Sequence, residues 1–196
     1  MLREELENRG YDVLLTRENN ETAISNAERA QMANGAGADI AVRIHANGSE
    51  DPGASGALVL TGSAANPYVG NLYEASAELG NAVLDSYRAA TGMEHLGVQE
   101  NDTMTGINWS EIPVIILEMG FMTNEQDDRN MADEQFREKM VSGISDGIDT
   151  YYEKKGLPGL EEEIYTQIQR EEEQGAIVSV YAERIDTGAK TEVNIT

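Results

Sequence analysis

The stretch IPVIILEMGF, residues 112–121, decides the fold of this chain. It is a continuous apolar run, rich in β-branched residues, that ends in a charge and a glycine. A strand that is apolar at every position is covered on both faces, which is typical of a central strand in a parallel sheet. The run therefore predicts the central strand of an α/β sheet.

Strand-like and helix-like segments alternate on both sides of this run. Strands are predicted at YDVLLT (11–16), ADIAVRIH (38–45) and GALVLT (56–61). Helices are predicted at LREELENRG (2–10), within 18–38 after Asn or Thr caps, over about 67–90, and as a pair within 127–155. This order is typical of an open sheet with helices on both faces, so we expect a mixed, mainly parallel sheet.

The composition changes after residue 155. GLPGL at 156–160 has the residues of a turn, and a helix-like acidic stretch follows it. Two alternating segments around DTGAK (186–190) then predict a β-hairpin, which is marginally stable without further strands. We therefore expect one domain over residues 1–155, with a linker and the start of a second, truncated domain over 156–196.

Charge and residue content exclude several classes of function. The chain of 196 residues has a net charge of -22, which disfavours a nucleic-acid partner. It has no cysteine, so disulfides and thiolate metal sites are excluded, and any metal must bind His, Asp or Glu. No apolar run has the length of a transmembrane segment, and the charged residues after Met1 do not resemble a secretory signal.

Two polar side chains are predicted where strands end. His45 closes the strand IAVRIH and Glu118 closes VIILE, and the carboxyl ends of neighbouring parallel strands meet at one edge of a sheet. His45 is either a structural residue or a metal ligand. Glu118 either pairs with Arg17 or Arg43, or serves in a catalytic site. An imidazole and a carboxylate together suggest hydrolysis by a zinc-bound water.

Three segments in this order resemble the zinc-dependent N-acetylmuramoyl-L-alanine amidases of bacterial cell walls: LENRGYDVLLTR (6–17), AERAQMANGAGADIAVRIHANG (27–48) and TGINWSEIPVIILEMGFMTNEQDD (105–128). The resemblance covers about residues 1–155. It implies that His45 is a zinc ligand, that Glu118 is the catalytic carboxylate, and that the substrate is peptidoglycan. The cleaved bond would join N-acetylmuramic acid to L-alanine, in a bacterial protein located outside the cell or at its wall.

The same resemblance implies roles for several other residues, with weaker support. Arg17 and Arg29 match arginines that recur in the family, and we expect them to be structural or to support the site. Ile107 and Trp109 precede the Glu118 strand and either line the substrate groove or pack in the core. His95 falls outside the ligand positions of the family, so we expect a surface histidine.

The family pattern also begins with a strand, a His-Gly-Gly loop and a glutamate that supply further zinc ligands, and these are not found in the sequence. The chain is then either a fragment lacking its first strand, which we favour, or a natural remnant without its metal; either way we expect poor zinc affinity. A fragment interpretation also agrees with SVYAERIDTGAKTEVNIT (179–196), which weakly resembles the first strands of serine β-lactamases and penicillin-binding proteins.

Two other functions stay open as alternatives. One is a catalytically inactive remnant of the amidase domain that serves as a peptidoglycan-binding module or as a regulatory domain. The other is an unrelated hydrolase or nucleotide-binding domain, which is disfavoured because the sequence has neither a Gly-x-Ser-x-Gly elbow nor a glycine-rich phosphate loop.

Overall fold

A computed structural model describes residues 1–19 and 21–155, together with the backbone of residues 179–183 and 190–194. The predicted break at 156–160, the acidic helix after it and most of the hairpin turn lie outside the described residues. The chain forms two compact units, one of Leu14–Tyr151 and one of Met1–Val13 with Tyr152–Thr196. The first unit contains the four-stranded sheet.

The helices and strands of the described residues come in the following chain order. They are α1 (Leu2–Asn8), α2 (Asn26–Gly35), β1 (Ala41–Asn47), β2 (Ala57–Thr61), a 3₁₀ turn (Gly70–Leu72), α3 (Tyr73–Thr91), β3 (His95–Glu100), α4 (Thr105–Asn108), β4 (Val114–Phe121), α5 (Glu125–Ala132), α6 (Glu134–Lys154), β5 (Ser179–Glu183) and β6 (Lys190–Asn194).

The larger sheet is mixed and has the order β1-β4-β2-β3. Strand β4 is parallel to β1 and antiparallel to β2, and β2 is parallel to β3. The four residues Val114–Leu117 of β4 are at most 2% exposed, as expected for a strand covered on both faces. The predicted α/β class and the central position of residues 112–121 are therefore confirmed.

Side chains of β4 alternate between the two faces of the sheet. Ile115 faces the buried helix α3, where Gly80 allows close contact with Val59 and Ile115. Val114 and Ile116 point the other way and pack against Ile107 of α4. Glu118 lies two residues after Ile116, so it shares this second face, which we call the site face.

Helix α6 packs against α3 through glycines. A Cβ on Gly147 would lie 2.8 Å from the carbonyl oxygen of Ala82, and one on Gly143 would lie 2.7 Å from the Cα of Tyr87. These atoms belong to backbone, which cannot move aside as a flexible side chain can. Glycine at these positions therefore sets the distance between the two helices.

Replacing Gly147 by alanine is expected to lower the free energy of unfolding by about 1–3 kcal/mol, because the added methyl group forces the α3 and α6 backbones apart. Urea denaturation followed by circular dichroism measures this loss. Gly35→Ala is the matched control, since nothing lies within 4 Å of a Cβ there, and it should change stability by less than about 0.5 kcal/mol. Equal stability of the two variants would contradict this account of the helix contact.

Two local predictions were wrong, and two short elements were missed. Residues 11–16 form no strand, and Leu14 and Leu15 are 52% and 40% exposed, because no described strand offers the backbone hydrogen bonds that a β-strand needs. Helix α2 begins after Ser25, which forms a capping box with Glu28, instead of after an Asn or Thr cap. Strand β3 and helix α4 were not predicted, because each is short and weakly patterned.

The predicted hairpin is confirmed at the level of its strands, since β5 and β6 pair antiparallel from Ser179–Asn194 to Glu183–Lys190. In the described part of the chain, no helix has the length and apolar character needed to cross a membrane. The proposed domain division at residue 155 stays a prediction.

Candidate active site

Strands β1 and β4 bring His45 and Glu118 together. The two residues are direct partners in the parallel register, and Nδ1 of His45 lies 3.9 Å from Oε1 of Glu118. Neither residue ends its strand as predicted, since β1 continues to Asn47 and β4 to Phe121. Because directly paired residues of neighbouring strands point to the same face, both side chains lie on the site face of the sheet, near the carboxyl ends of the two parallel strands.

The Glu118 carboxyl is buried and incompletely paired. The residue is 7% exposed, and its Oε2 atom has no hydrogen-bond partner among the described residues. Burial raises the pKa of this carboxyl, while the positive charge of Arg43 opposes the shift. A carboxyl in such a setting exchanges its proton closer to neutral pH than an ordinary glutamate does, which suits a general base or acid.

The imidazole of His45 is half-exposed and faces this carboxyl. Burial lowers the pKa of His45, and the charges of Arg43 and Arg29 lower it further. These effects favour the neutral imidazole at neutral pH. A neutral imidazole has a free nitrogen lone pair, which is the form that binds a metal ion.

Arg43 is a third member of the site that the sequence suggested only as an ion-pair partner. It faces Ile116 in the strand register, so it lies on the site face, diagonally adjacent to Glu118. Its Nη2 donates a hydrogen bond of 2.7 Å to Oδ1 of Asn26. Its guanidinium also occupies the space where a Cβ on residue 106 would lie, so Gly106 makes room for it.

Of the two alternatives for Glu118, the ion pair with Arg17 or Arg43 is not formed: across the described ranges, neither arginine has a nitrogen within 4 Å of the carboxylate. Arg43 acts on Glu118 only through its longer-range charge. Arg17 is exposed in the irregular segment before α2. Arg29, on α2, donates a hydrogen bond of 3.0 Å to Thr16 Oγ1, which agrees with the expected structural role.

A bulge in β4 follows Glu118 directly. His45 pairs with Glu118 but Asn47 pairs with Phe121, so β4 has one extra residue between these pairs. Tyr87 of α3 donates a hydrogen bond of 2.9 Å to the Met119 carbonyl oxygen. The buried Asp127 accepts one of 3.0 Å from the Phe121 amide. These contacts fix the backbone that carries Glu118, and only the folded structure reveals them.

The remaining predicted residues lie apart from the His45–Glu118 pair. Ile107 is fully buried in a core cluster with Val69, Val114 and Ile116, so its role is packing. Trp109 is 52% exposed, and its role in a substrate groove stays a prediction. His95 is half-buried on edge strand β3 at the far side of the sheet.

His95 is held by two contacts that define it as structural. Its Nε2 lies 3.2 Å from Oδ1 of Asp85 on α3, and its Nδ1 accepts a hydrogen bond of 3.1 Å from the Gly97 amide. The imidazole therefore connects β3 to α3. The sequence predicted a surface histidine, whereas the imidazole is partly buried between β3 and α3.

The site offers one imidazole and one carboxylate to a metal ion. Among the described residues, no group of three or more His, Asp or Glu side chains is placed to hold a metal. A catalytic zinc ion usually has three protein ligands and a water. The residues present therefore fit part of a zinc site and fall short of a complete one.

The raised pKa of Glu118 predicts a pH-dependent contribution to stability. Because the folded state holds this proton more tightly than the unfolded chain, Glu118 stabilises the fold at low pH, and the contribution is lost as pH rises from about 4.5 through the raised pKa. Glu118→Gln does not titrate. The unfolding free energy of the variant minus that of the wild type should therefore increase over this range, measured by urea denaturation; a difference independent of pH would contradict the shift.

Comparisons with known proteins agree with this fold. The model of the family described as N-acetylmuramoyl-L-alanine amidase (Amidase_3) matches residues 1–150. The chain is 29% identical over 129 residues to the uncharacterized protein YqiI of Bacillus subtilis, covering 65% of this chain and 58% of that protein. It is 25% identical over 184 residues to the amidase AmiA of Salmonella typhimurium, covering 75% and 63%.

Among solved structures, the amidase Ami1 of Mycobacterium smegmatis matches with a TM-score of 0.71 and 25% identity, over 78% of this chain and 72% of that one. The chain spans about three fifths of the length of the two relatives above. The family match and the mixed α/β sheet agree with each other. The chain belongs to the N-acetylmuramoyl-L-alanine amidase family.

Proposed function

We propose that this protein hydrolyses peptidoglycan at the amide bond between the lactyl group of N-acetylmuramic acid and the L-alanine of the stem peptide. The observation that carries the proposal is the buried Glu118 carboxyl, whose Oε2 has no hydrogen-bond partner and whose neighbour in the register is His45. An unpartnered buried carboxyl is unfavourable for folding, so it is typical of a functional site.

Glu118 would move the proton that this reaction requires. As a carboxylate it accepts a proton from the attacking water, whose oxygen then bonds to the lactyl carbonyl carbon. The resulting tetrahedral intermediate breaks its carbon–nitrogen bond when Glu118 returns the proton to the alanine nitrogen. The products are a lactyl carboxylic acid and a peptide with a free L-alanine amino group, so atoms and protons balance.

We further propose His45 as one ligand of the zinc ion that the family resemblance implies, because its imidazole is held neutral next to Glu118. The described residues supply no complete ligand set, so the proton steps above are assigned to Glu118 alone. Activity on peptidoglycan also implies a location outside the cell or at its wall.

Digestion of purified peptidoglycan tests the proposed function. With zinc supplied in excess of its weak binding, we expect the chain to release peptides that begin with L-alanine and to leave muramic acid with a free lactyl carboxylate, both identified by mass spectrometry. Release that starts at another bond would contradict the proposal. Binding to peptidoglycan without cleavage, unaffected by chelators and by Glu118→Gln, would favour the inactive binding or regulatory module instead.

A separate prediction concerns zinc itself. With a single imidazole in place, we expect the purified chain to contain well under one equivalent of zinc and to bind added zinc weakly. Elemental analysis and calorimetric titration measure both quantities, with His45→Ala expected to remove the residual binding and His95→Ala to leave it unchanged. Tight stoichiometric binding that survives His45→Ala would exclude His45 as a ligand.

A further inference from the structure

Arg43 is a partly buried arginine without a carboxylate partner among the described residues, which is unusual in so acidic a chain. The chain contains 36 acidic and 14 basic residues, yet within the described ranges no carboxylate lies within ion-pair distance of the Arg43 guanidinium. The side chain is half-buried and makes one side-chain hydrogen bond, from Nη2 to Asn26. A guanidinium has five N–H donors, so most of those of Arg43 remain available.

The surroundings of Arg43 hold it at the site. Asn26, the first residue of α2, accepts the hydrogen bond from Nη2, and the absent side chain of Gly106 leaves the space that the guanidinium occupies. Arg43 precedes His45 by two positions in β1, which separates their Cα atoms by about 7 Å in extended backbone. The guanidinium is therefore held on the site face, and its strand also carries His45 on that face.

We infer that Arg43 forms a binding subsite for a carboxylate on the peptide part of the substrate. A partly desolvated guanidinium gains most from a partner of opposite charge, and its planar fork matches the two oxygens of a carboxylate. Glu118 does not supply this partner, since its oxygens lie beyond ion-pair distance. Because Arg43 and His45 share the site face of one strand, two positions apart, the carboxylate would belong to a residue close to the cleaved amide.

This inference rests on the proposed function, because it assigns a subsite of the same substrate. It gives Arg43 a role in specificity: Arg43 would select stem peptides that carry a free carboxylate over those in which it is amidated. Glu118 and His45 would act on both kinds of substrate.

Two matched ligands test the subsite. Both are N-acetylmuramoyl-L-alanyl dipeptides with an amidated C-terminus, one with glutamic acid and the other with glutamine as second residue. Isothermal titration to the full chain is expected to show that the acid binds about tenfold more tightly than the amide, within the range of a charge-assisted hydrogen bond. In Arg43→Gln the ratio should fall to about one, and Arg43→Lys should keep part of it.

Two further variants separate this role from a general effect of charge or folding. Gly106→Ala leaves the charge intact but displaces the guanidinium, so it should also abolish the preference. Arg129→Gln removes an exposed arginine of α5 that pairs with Glu125, and it should keep the preference. Unchanged thermal unfolding of each variant shows that it is folded.

The outcomes distinguish the subsite from the proposed function. Equal binding of both ligands by the wild type, or a preference that survives Arg43→Gln, overturns the subsite while leaving the proposed function intact. Failure of the wild type to bind either ligand contradicts the proposed function and the subsite together.

Discussion

Replacing Glu118 by glutamine is expected to lower the rate of stem-peptide release from peptidoglycan by about 10²–10⁴-fold, the usual contribution of general acid–base catalysis. Glutamine has nearly the shape of glutamate, but it can neither accept the proton of the attacking water nor return it to the alanine nitrogen. The rate is measured by mass spectrometry of released peptides under conditions in which the wild-type reaction is linear in time.

The matched control for this prediction is Glu111→Gln. Glu111 is exposed just before β4, so its replacement removes the same charge from the same segment without touching the buried site. This variant should keep the wild-type rate. If Glu118→Gln retained more than about one tenth of that rate, the assignment of Glu118 as the proton carrier would be wrong, since less than tenfold is too small for general acid–base catalysis.

Replacing Asp127 by alanine is expected to lower the free energy of unfolding by about 3–5 kcal/mol. Asp127 is 2% exposed, and its carboxylate accepts hydrogen bonds from Ser55 Oγ, the Gly56 amide and the Phe121 amide, at 2.8, 3.0 and 3.0 Å. Alanine leaves all three donors without this acceptor, two of them buried backbone N–H groups. Urea denaturation measures the loss.

Asp128→Ala is the control for Asp127, because Asp128 is the next residue of α5 and is exposed. It should change stability by less than about 0.5 kcal/mol. Asp127→Asn should fall between the two, since the amide keeps one acceptor oxygen but loses the charge. Similar stability of the two alanine variants would show that Asp127 does not hold the segment after Glu118.

The two predictions concern the same segment of β4, which carries Glu118 and the bulge that follows it. Asp127 holds Phe121, Tyr87 holds Met119, and the bulge between them follows Glu118. Bulges are frequent beside active sites because they redirect side chains of the strand. We expect damage at Asp127 to lower activity as well, whereas Glu118→Gln should leave the fold intact.

The sequence predicted the elements whose patterns are long and self-consistent. The apolar run 112–121 could only be a covered strand, and the periodic residues of α3 could only be one face of a buried helix. The placement of His45 and Glu118 at one edge of the sheet was also predicted, because both follow apolar strand segments, but their direct pairing in the register was not. Composition excluded cysteine chemistry without any structural information.

Local sequence did not predict structural features that depend on contacts with residues distant in the chain. YDVLLT has the residues of a strand, but a strand requires a partner with matching backbone hydrogen bonds. The absence of an Arg43–Glu118 ion pair was equally unpredictable. It depends on Asn26 and Gly106, which come from two other segments and hold the guanidinium away from the carboxylate.

The sequence by itself determined the α/β class, the central strand and the two residues at the centre of the proposed site, because these depend on hydrophobic patterns and residue types that are local. Only the tertiary structure decided that Glu118 lies buried with an unpartnered oxygen, that Asp127 and Tyr87 fix its backbone, and that Arg43 faces the site without a carboxylate partner. Burial and pairing depend on which segments meet in space, and that is a property of the whole fold.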